Sequence, residues 1–428
     1  MLLNNRIIKF LFIALVPVVM VVYYLIMRGI NINIILLLIY AVLGLVGIYI
    51  GFKHASNKFV RSMNIFLLYC LISIIFYLFN GLPISCYINT LRSFLFPIIF
   101  AYLGYEFSSD YNFNRWYLIG CAFCFLVGFY LYITMPPYYL QFLADARSNT
   151  WYINDSGKDE EYILEMARFS SFFTTSYAIS CLSIPSLVLS LSFSLKGHTV
   201  MNKGWCYFLA FISFIAAILC QQRIAIAYSV LCLSFFIFYS PQITKKKNMG
   251  LMLLIVFVAI LVVSIFDMIS HLDWVERIYN LVKMRIDEMS FSKAMSERTS
   301  QYSSFNRATD LSYFFGLGLG SCGHAAGAAG FQSINDGEYI KLFYEFGIVG
   351  CVLLIIVIMP TLLRGLKYFK FFYAEVLIII FYLLSGIAAD SLTFFIFSIM
   401  FWYSLGRIWN NKYFERLKNE FLEKSYGN

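Results

Sequence analysis

Twelve apolar stretches, each long enough to cross a bilayer, follow one another along this 428-residue chain, and two substantial polar segments, 136–168 and 268–342, interrupt them. A hydrocarbon core about 30 Å thick takes roughly 20 apolar residues as a helix. Backbone polar groups in lipid are satisfied only inside helices or closed barrels. The expected fold is therefore all-α, a polytopic integral membrane protein. The spans are read at 7–27, 32–51, 63–80, 84–107, 116–135, 170–195, 205–220, 223–240, 250–267, 342–363, 371–388 and 391–408. Composition agrees, with 61% hydrophobic and 13% charged residues, where a soluble domain carries about 25% charged. The first span follows Arg6 and Lys9 as a signal sequence would, but it is long, has no small-residue cleavage site and is followed at once by another span. It reads as a retained anchor.

Short loops set the orientation, because basic residues resist translocation. Alternate connections carry Lys53, Lys58 and Arg61; Arg115; Lys196 and Lys203; Lys245, Lys246 and Lys247; and Arg364, Lys367 and Lys370, with Arg407, Lys412, Arg416 and Lys418 in the tail. With an even number of spans these fall on one side. Both termini are expected in the cytoplasm, and the two long loops and the turn at Gln221, Gln222 and Arg223 face outward. The formal charge of +9 is largely this inner bias, and no nucleic-acid-reading element is present.

No repeat or linker divides the chain, so residues 1–428 read as a single membrane domain. Segment 136–168 is its smaller outer loop, 268–342 its large outer loop between spans nine and ten, and 409–428 a cytoplasmic amphipathic tail. Within the large loop, Val275, Ile278, Val282, Ile286 and Met289 share a helical face suited to the membrane surface. Phe414, Leu417, Phe421 and Leu422 do the same in the tail. Eight cysteines, among them Cys121 and Cys124, fall in or at apolar spans as small hydrophobes. Only Cys322 is assigned to an outer loop, so no disulfide framework is expected, and four histidines offer no clustered metal ligands.

Arginines collect on the outer side. Arg168 precedes the sixth span, Arg223 lies at the tight turn between spans seven and eight, and Arg298 and Arg307 lie in the large loop. Guanidinium groups bind phosphate oxygens in bidentate fashion and stay charged at any working pH; the plainer alternative is snorkelling to lipid headgroups. Arg92 sits inside the fourth span, about 12 Å from its outer end at the helical rise, and is either an ion-pair member or a substrate contact. Where the large loop ends, Asp336 and Glu338 arrive at the membrane just ahead of the tenth span. Either is a candidate general base or a charge complementing the helix dipole. His324 is a further candidate base or hydroxyl contact. Gly318, Gly320 and Gly323 spell a G-x-G-x-x-G, but no βαβ context surrounds it, and tight backbone turning is the better reading.

Three of these segments resemble the O-antigen polymerase and ligase superfamily of bacterial polysaccharide assembly. They are Arg298 with the following Tyr-Ser-Ser-Phe-Asn-Arg-Ala-Thr-Asp-Leu, then Phe-Phe-Gly-Leu-Gly-Leu-Gly, then Asp-Gly-Glu-Tyr-Ile-Lys-Leu-Phe-Tyr-Glu-Phe-Gly-Ile-Val-Gly. Arg168 before its span and Gln-Gln-Arg at 221–223 are similar to family positions. The layout of about a dozen spans with a smaller and a larger periplasmic loop is similar too, and resembles the GT-C-type membrane glycosyltransferase architecture. Ligases typically have histidine then asparagine where this chain has Asp336 and Gly337, which favours a polymerase.

The resemblance implies a multi-pass enzyme of the bacterial inner membrane, termini cytoplasmic. It would join undecaprenyl-diphosphate-linked oligosaccharide repeats at the periplasmic face by glycosyl transfer, without cofactor or metal. It implies Arg168, Arg223 and Arg298 at the diphosphate, with Arg92 and Arg307 behind them, and Asp336 as acceptor-activating base, with Glu338 and His324 behind it. Partners would be the lipid-linked oligosaccharide and membrane lipid, with a chain-length regulator protein as a candidate. The alternatives are an O-antigen ligase and, in another class, a flippase or transporter of lipid-linked sugars.

Overall fold

Among the described residues the apolar stretches are largely helical. The computed structural model describes residues 5–30, 33–79, 81, 83–148, 169–173, 175–196, 201–244, 310–323, 326, 334, 337–387, 389–393 and 395–426. Among these, the regular elements are helices, and none is a strand. In chain order they are α1 (Asn5–Met27), α2 (Asn33–Lys53), α3 (Lys58–Ile72), α4 (Ile74–Phe79), α5 (Ile84–Phe107), α6 (Asn112–Thr134), α7 (Pro137–Ser148), α8 (Ser176–Lys196), α9 (Lys203–Leu219), α10 (Arg223–Thr244) and α11 (Asp310–Phe315). There follow α12 (Glu338–Lys367), α13 (Phe369–Ser385), a 3₁₀ turn at Phe395–Ser398, α14 (Ile399–Ile408) and α15 (Asn411–Tyr426).

Six helices among the described residues are long and apolar enough to cross a membrane: Arg6–Met27, Lys58–Phe79, Ile84–Phe107, Asn112–Thr134, Ser176–Leu195 and Glu338–Lys367. Leu38–Lys53, Lys203–Leu219 and Arg223–Tyr239 are shorter apolar helices. Along α12, Ile348, Val352, Ile355, Met359 and Leu363 are exposed, the face that lipid would cover. Prolines inside α1, α5, α8 and α12 are tolerated, as in spanning helices generally. Asparagines start two helices at connections rich in basic residues: Asn57 Oδ1 accepts from the Phe59 amide at 3.0 Å and Asn202 Oδ1 from that of Gly204 at 2.9 Å.

One expectation meets a different outcome, and two others fall outside the described residues. The ninth expected span, 250–267, lies outside the described residues, as does the amphipathic stretch around 275–289. The twelfth, 391–408, is interrupted. A non-helical turn and the 3₁₀ segment precede α14, whose 10 residues are all buried. Ten residues rise about 15 Å, half the hydrocarbon thickness. It is enclosed by protein, and average hydropathy does not distinguish that from enclosure by lipid.

The chain groups into two compact units, and the divisions that lie among the described residues fall within helices. The first comprises Met1–Ile13, Leu37–Phe113 and Ser292–Asn428. In it α14 packs tightly on α5, which the absence of a side chain at Gly104 permits: a Cβ there would lie 2.6 Å from the Tyr403 carbonyl oxygen. Phe12, Phe113 and Tyr403 follow in series, with ring centroids 4.4 Å apart at each step. The second unit comprises Ala14–Leu36 and Asn114–Phe291. Its α8 is buried along the whole of its apolar window and packs on α9 and α10. Ser186 and Ser213 join α8 to α9 through a 2.8 Å hydroxyl pair.

Candidate functional site

In the first unit the basic helix ends meet one another. Lys9 pairs with Asp110 at 2.6 Å, and Lys53 and His54 reach Glu106 at 2.6 and 2.9 Å. Arg407, counted among the basic residues of the tail by sequence, is buried instead. Its Nη2 donates to the Asp110 carbonyl at 3.2 Å, its Nη1 lies 3.3 Å from Glu375, and its guanidinium lies 3.8 Å from the Tyr413 ring centroid. Tyr413 in turn donates to Glu375 at 2.9 Å, which docks α15. Burial pushes the Tyr413 and Tyr111 phenols well above their usual range, so both remain hydrogen-bond donors. Lys9, Lys53 and Arg407 thus each pair with a carboxylate of the protein, and these contacts hold helices together.

The opposite end of α12 carries the motif that closes the large loop. Gly337 begins it at φ 109°, a left-handed geometry open to glycine. The helix then breaks at Gly347 (φ 61°). A break leaves carbonyls without their helical donors, and the glycine-rich segment supplies replacements. Leu317 donates to the Tyr344 carbonyl at 2.8 Å and Gly318 to that of Glu345 at 3.0 Å. The Tyr69 hydroxyl lies 2.7 Å from the Phe346 carbonyl. Gly318 and Gly320, at φ 95° and 86°, press against α4 and α5; a Cβ on Gly318 would lie 2.5 Å from that of Tyr77, and one on Gly320 2.7 Å from Thr90 Oγ1. The glycines thus serve close approach of this backbone to α4 and α5. Cys322, expected in an outer loop, is buried beside Leu317 and Ile334.

Four ionisable side chains are buried here: Glu338, Lys341, Glu345 and Asp390. Lys341 Nζ lies 2.6 Å from Asp390 Oδ2 and 3.2 Å from Thr393 Oγ1. Glu338 Oε2 accepts from the Leu392 amide and, at 3.3 Å, from the Ser391 hydroxyl, while Oε1 has no hydrogen-bond partner among the described residues. Glu345 Oε1 accepts from the Cys322 amide at 3.4 Å. Among the described residues no three carboxylate, histidine or cysteine groups converge as metal ligands. The cluster is an ion-pair and hydrogen-bond network under a loop end.

In the second unit, Phe169–Phe173 forms a tight turn with Ser171 at φ 54°. The Phe169 amide bonds to the Leu219 carbonyl at 3.2 Å, and Ser171 Oγ to the Cys124 carbonyl at 2.8 Å. Gln221 (φ 55°) makes the next turn, Gln222 reaches Ser176 at 3.4 Å, and Arg223 stands exposed at the start of α10. The residue that follows Arg168 is therefore tied to the end of α9, four residues before Arg223. Tyr23 packs on Phe173 at this end, and Arg28 lies over the Tyr138 ring, 4.0 Å from its centroid.

Of the predicted site residues, the structure describes Glu338, Arg223 and the helical backbone of Arg92 in α5, two residues past Thr90. Arg168, Arg298, Arg307, His324 and Asp336 lie outside the described residues, as does the Arg92 side chain. Sequence reasoning missed Lys341, Asp390 and Arg28. The first two carried a readable signal, since an ionisable residue within or beside an apolar stretch needs a partner. Arg28 stood alone at a span end, with nothing to single it out. Comparison with models of known protein families finds no match, and comparison with characterised proteins finds no similar sequence.

Proposed function

We propose that this protein is a membrane glycosyltransferase of the O-antigen polymerase type, joining lipid-diphosphate-linked oligosaccharide repeats at the outer face of the bacterial inner membrane. One observation carries the reading. The two motifs most similar to the superfamily, Phe-Phe-Gly-Leu-Gly-Leu-Gly and Tyr-Glu-Phe-Gly, are far apart in sequence yet interlock backbone to backbone through Leu317–Tyr344 and Gly318–Glu345. They thereby act as one structural element at the end of the large loop. The tie between Phe169 and Leu219 further supports pairing Arg168 with Arg223 at a diphosphate.

In the proposed reaction the terminal hydroxyl of one lipid-linked repeat attacks the anomeric carbon of the growing chain. The anomeric carbon–oxygen bond to the diphosphate breaks, and undecaprenyl diphosphate leaves with the bonding electrons. Arg168, Arg223 and Arg298 stabilise its charge, with Arg92 and Arg307 in support. Asp336 takes the hydroxyl proton, with Glu338 and His324 behind it as candidates. A leaving group already stabilised as a diphosphate needs no metal, and a chain-length regulator protein would act on when extension stops.

Purified protein in liposomes, given a lipid-linked repeat with and without chelator, tests this. A ladder of extended products in both conditions is expected; repeats that stay single in both remove the proposal. In cells, loss of a polymerase leaves one repeat on the lipid core, whereas loss of a ligase leaves the core bare. A carrier for lipid-linked sugars is the second reading, favoured by the broken helix at Gly347 beside buried Lys341 and Asp390. Release of repeats across the membrane without extension would select it.

A further inference from the structure

Lys341 follows Glu338 by one helical turn, so both project from the same face of α12. The Lys341 ammonium bridges the two ends of a short turn, reaching Asp390 at 2.6 Å and Thr393 at 3.2 Å. Between those ends lie the Ser391 hydroxyl and the Leu392 amide, the two donors that hold Glu338 Oε2. The turn has independent ties: the Trp402 indole donates to the Leu392 carbonyl at 2.8 Å, and the Ser391 hydroxyl is shared with the Tyr382 carbonyl at 2.7 Å. The Glu338 amide itself donates to the Gly386 carbonyl at 3.0 Å. Carboxylate and ammonium thus grip one turn from the same helix face, immediately after the large loop ends.

We propose that Glu338, Lys341 and Asp390 form a positioning clamp that fixes the end of the large loop, and that Glu338 is an anchor in it rather than the proton acceptor. Glu338 is wholly buried, and one of its oxygens is committed to the turn. A base must meet a sugar hydroxyl within hydrogen-bond reach, and a side chain enclosed by protein and engaged with backbone is suited to holding. Asp336, two residues upstream in the chain, is what the clamp would steady. The kinetic part rests on the polymerase reading; the clamp itself does not.

The test compares E338Q, E338A, K341M and D390N in reconstituted full-length protein. Each is measured for extension of a lipid-linked repeat and for amide hydrogen exchange across the Asp390–Thr393 turn. A glutamine oxygen still accepts from Leu392 but takes up no proton at working pH. E338Q is therefore expected to keep at least about a third of wild-type kcat and to keep the Leu392 amide protected. E338A, K341M and D390N are expected to speed exchange in the turn at least about tenfold and to lower kcat by a similar factor, with KM for the repeat within about threefold. An E338Q variant as inactive as E338A but with the turn still protected overturns the anchor and makes Glu338 the base. Unchanged exchange in K341M overturns the clamp. If wild-type protein extends nothing, the polymerase reading fails and the exchange result alone decides the clamp. E338Q matches the native side chain in size and decides the matter should E338A fail to fold.

Discussion

Gly347 and Gly316 meet so closely that a Cβ on Gly347 would lie 2.5 Å from the Gly316 amide nitrogen. Both have positive φ, 61° and 76°. The contact locks the break in α12 to the glycine-rich segment, and no other residue type fits on either side. Replacing Gly347 with alanine adds backbone strain to overpacking, so a loss of about 2–4 kcal/mol is expected. A clearly lower unfolding midpoint in detergent checks this; a midpoint equal to wild type would show that the two segments are not held together.

The Arg407–Glu375 pair sets a second expectation. Both side chains are almost fully buried, and Arg407 also lies against Tyr413. Removing one partner strands a buried charge, at a cost of about 3–5 kcal/mol, whereas replacing both with apolar residues is close to neutral. R407M should therefore unfold far more readily than the double variant R407M/E375M in a graded denaturing-detergent titration. Equal sensitivity of the two would show that the pair is not coupled.

Arg223 is exposed and starts α10 without a described ion-pair partner, so R223A should move stability by less than about 0.5 kcal/mol. If it contacts a diphosphate, product extension should fall at least about tenfold, roughly 1.4 kcal/mol of transition-state binding. Arg298→Ala should abolish long-chain polymer at normal membrane expression. Wild-type chain length in both variants would remove the arginines from the mechanism.

Orientation has its own test. A periplasm-dependent reporter enzyme fused after Ser300 should be active, and a cytoplasm-dependent fluorescent reporter fused after Asn428 should be bright. The reverse pattern at either point would turn the assigned faces over and move the loop chemistry to the wrong side of the membrane.

Membrane class and helical content were legible in the sequence, because each depends on sums over neighbouring residues: enough consecutive apolar side chains. Even the amphipathic tail could be read, since Leu417 and its helical neighbours repeat at one periodicity. The interlock of the glycine segment with Gly347 was only half visible. The glycines announced unusual backbone, but not what would approach it.

Partnership is what tertiary structure alone decided. That α14 is enclosed by protein, that Arg407 is a buried ion-pair member rather than an inner-surface charge, and that Lys341 finds Asp390 all depend on contacts between residues distant in sequence. Hydropathy measures how strongly a segment avoids water and is blind to whether lipid or another helix replaces it. Charge counts show that a buried group must be compensated, but only the packed chain determines which opposite group lies within reach.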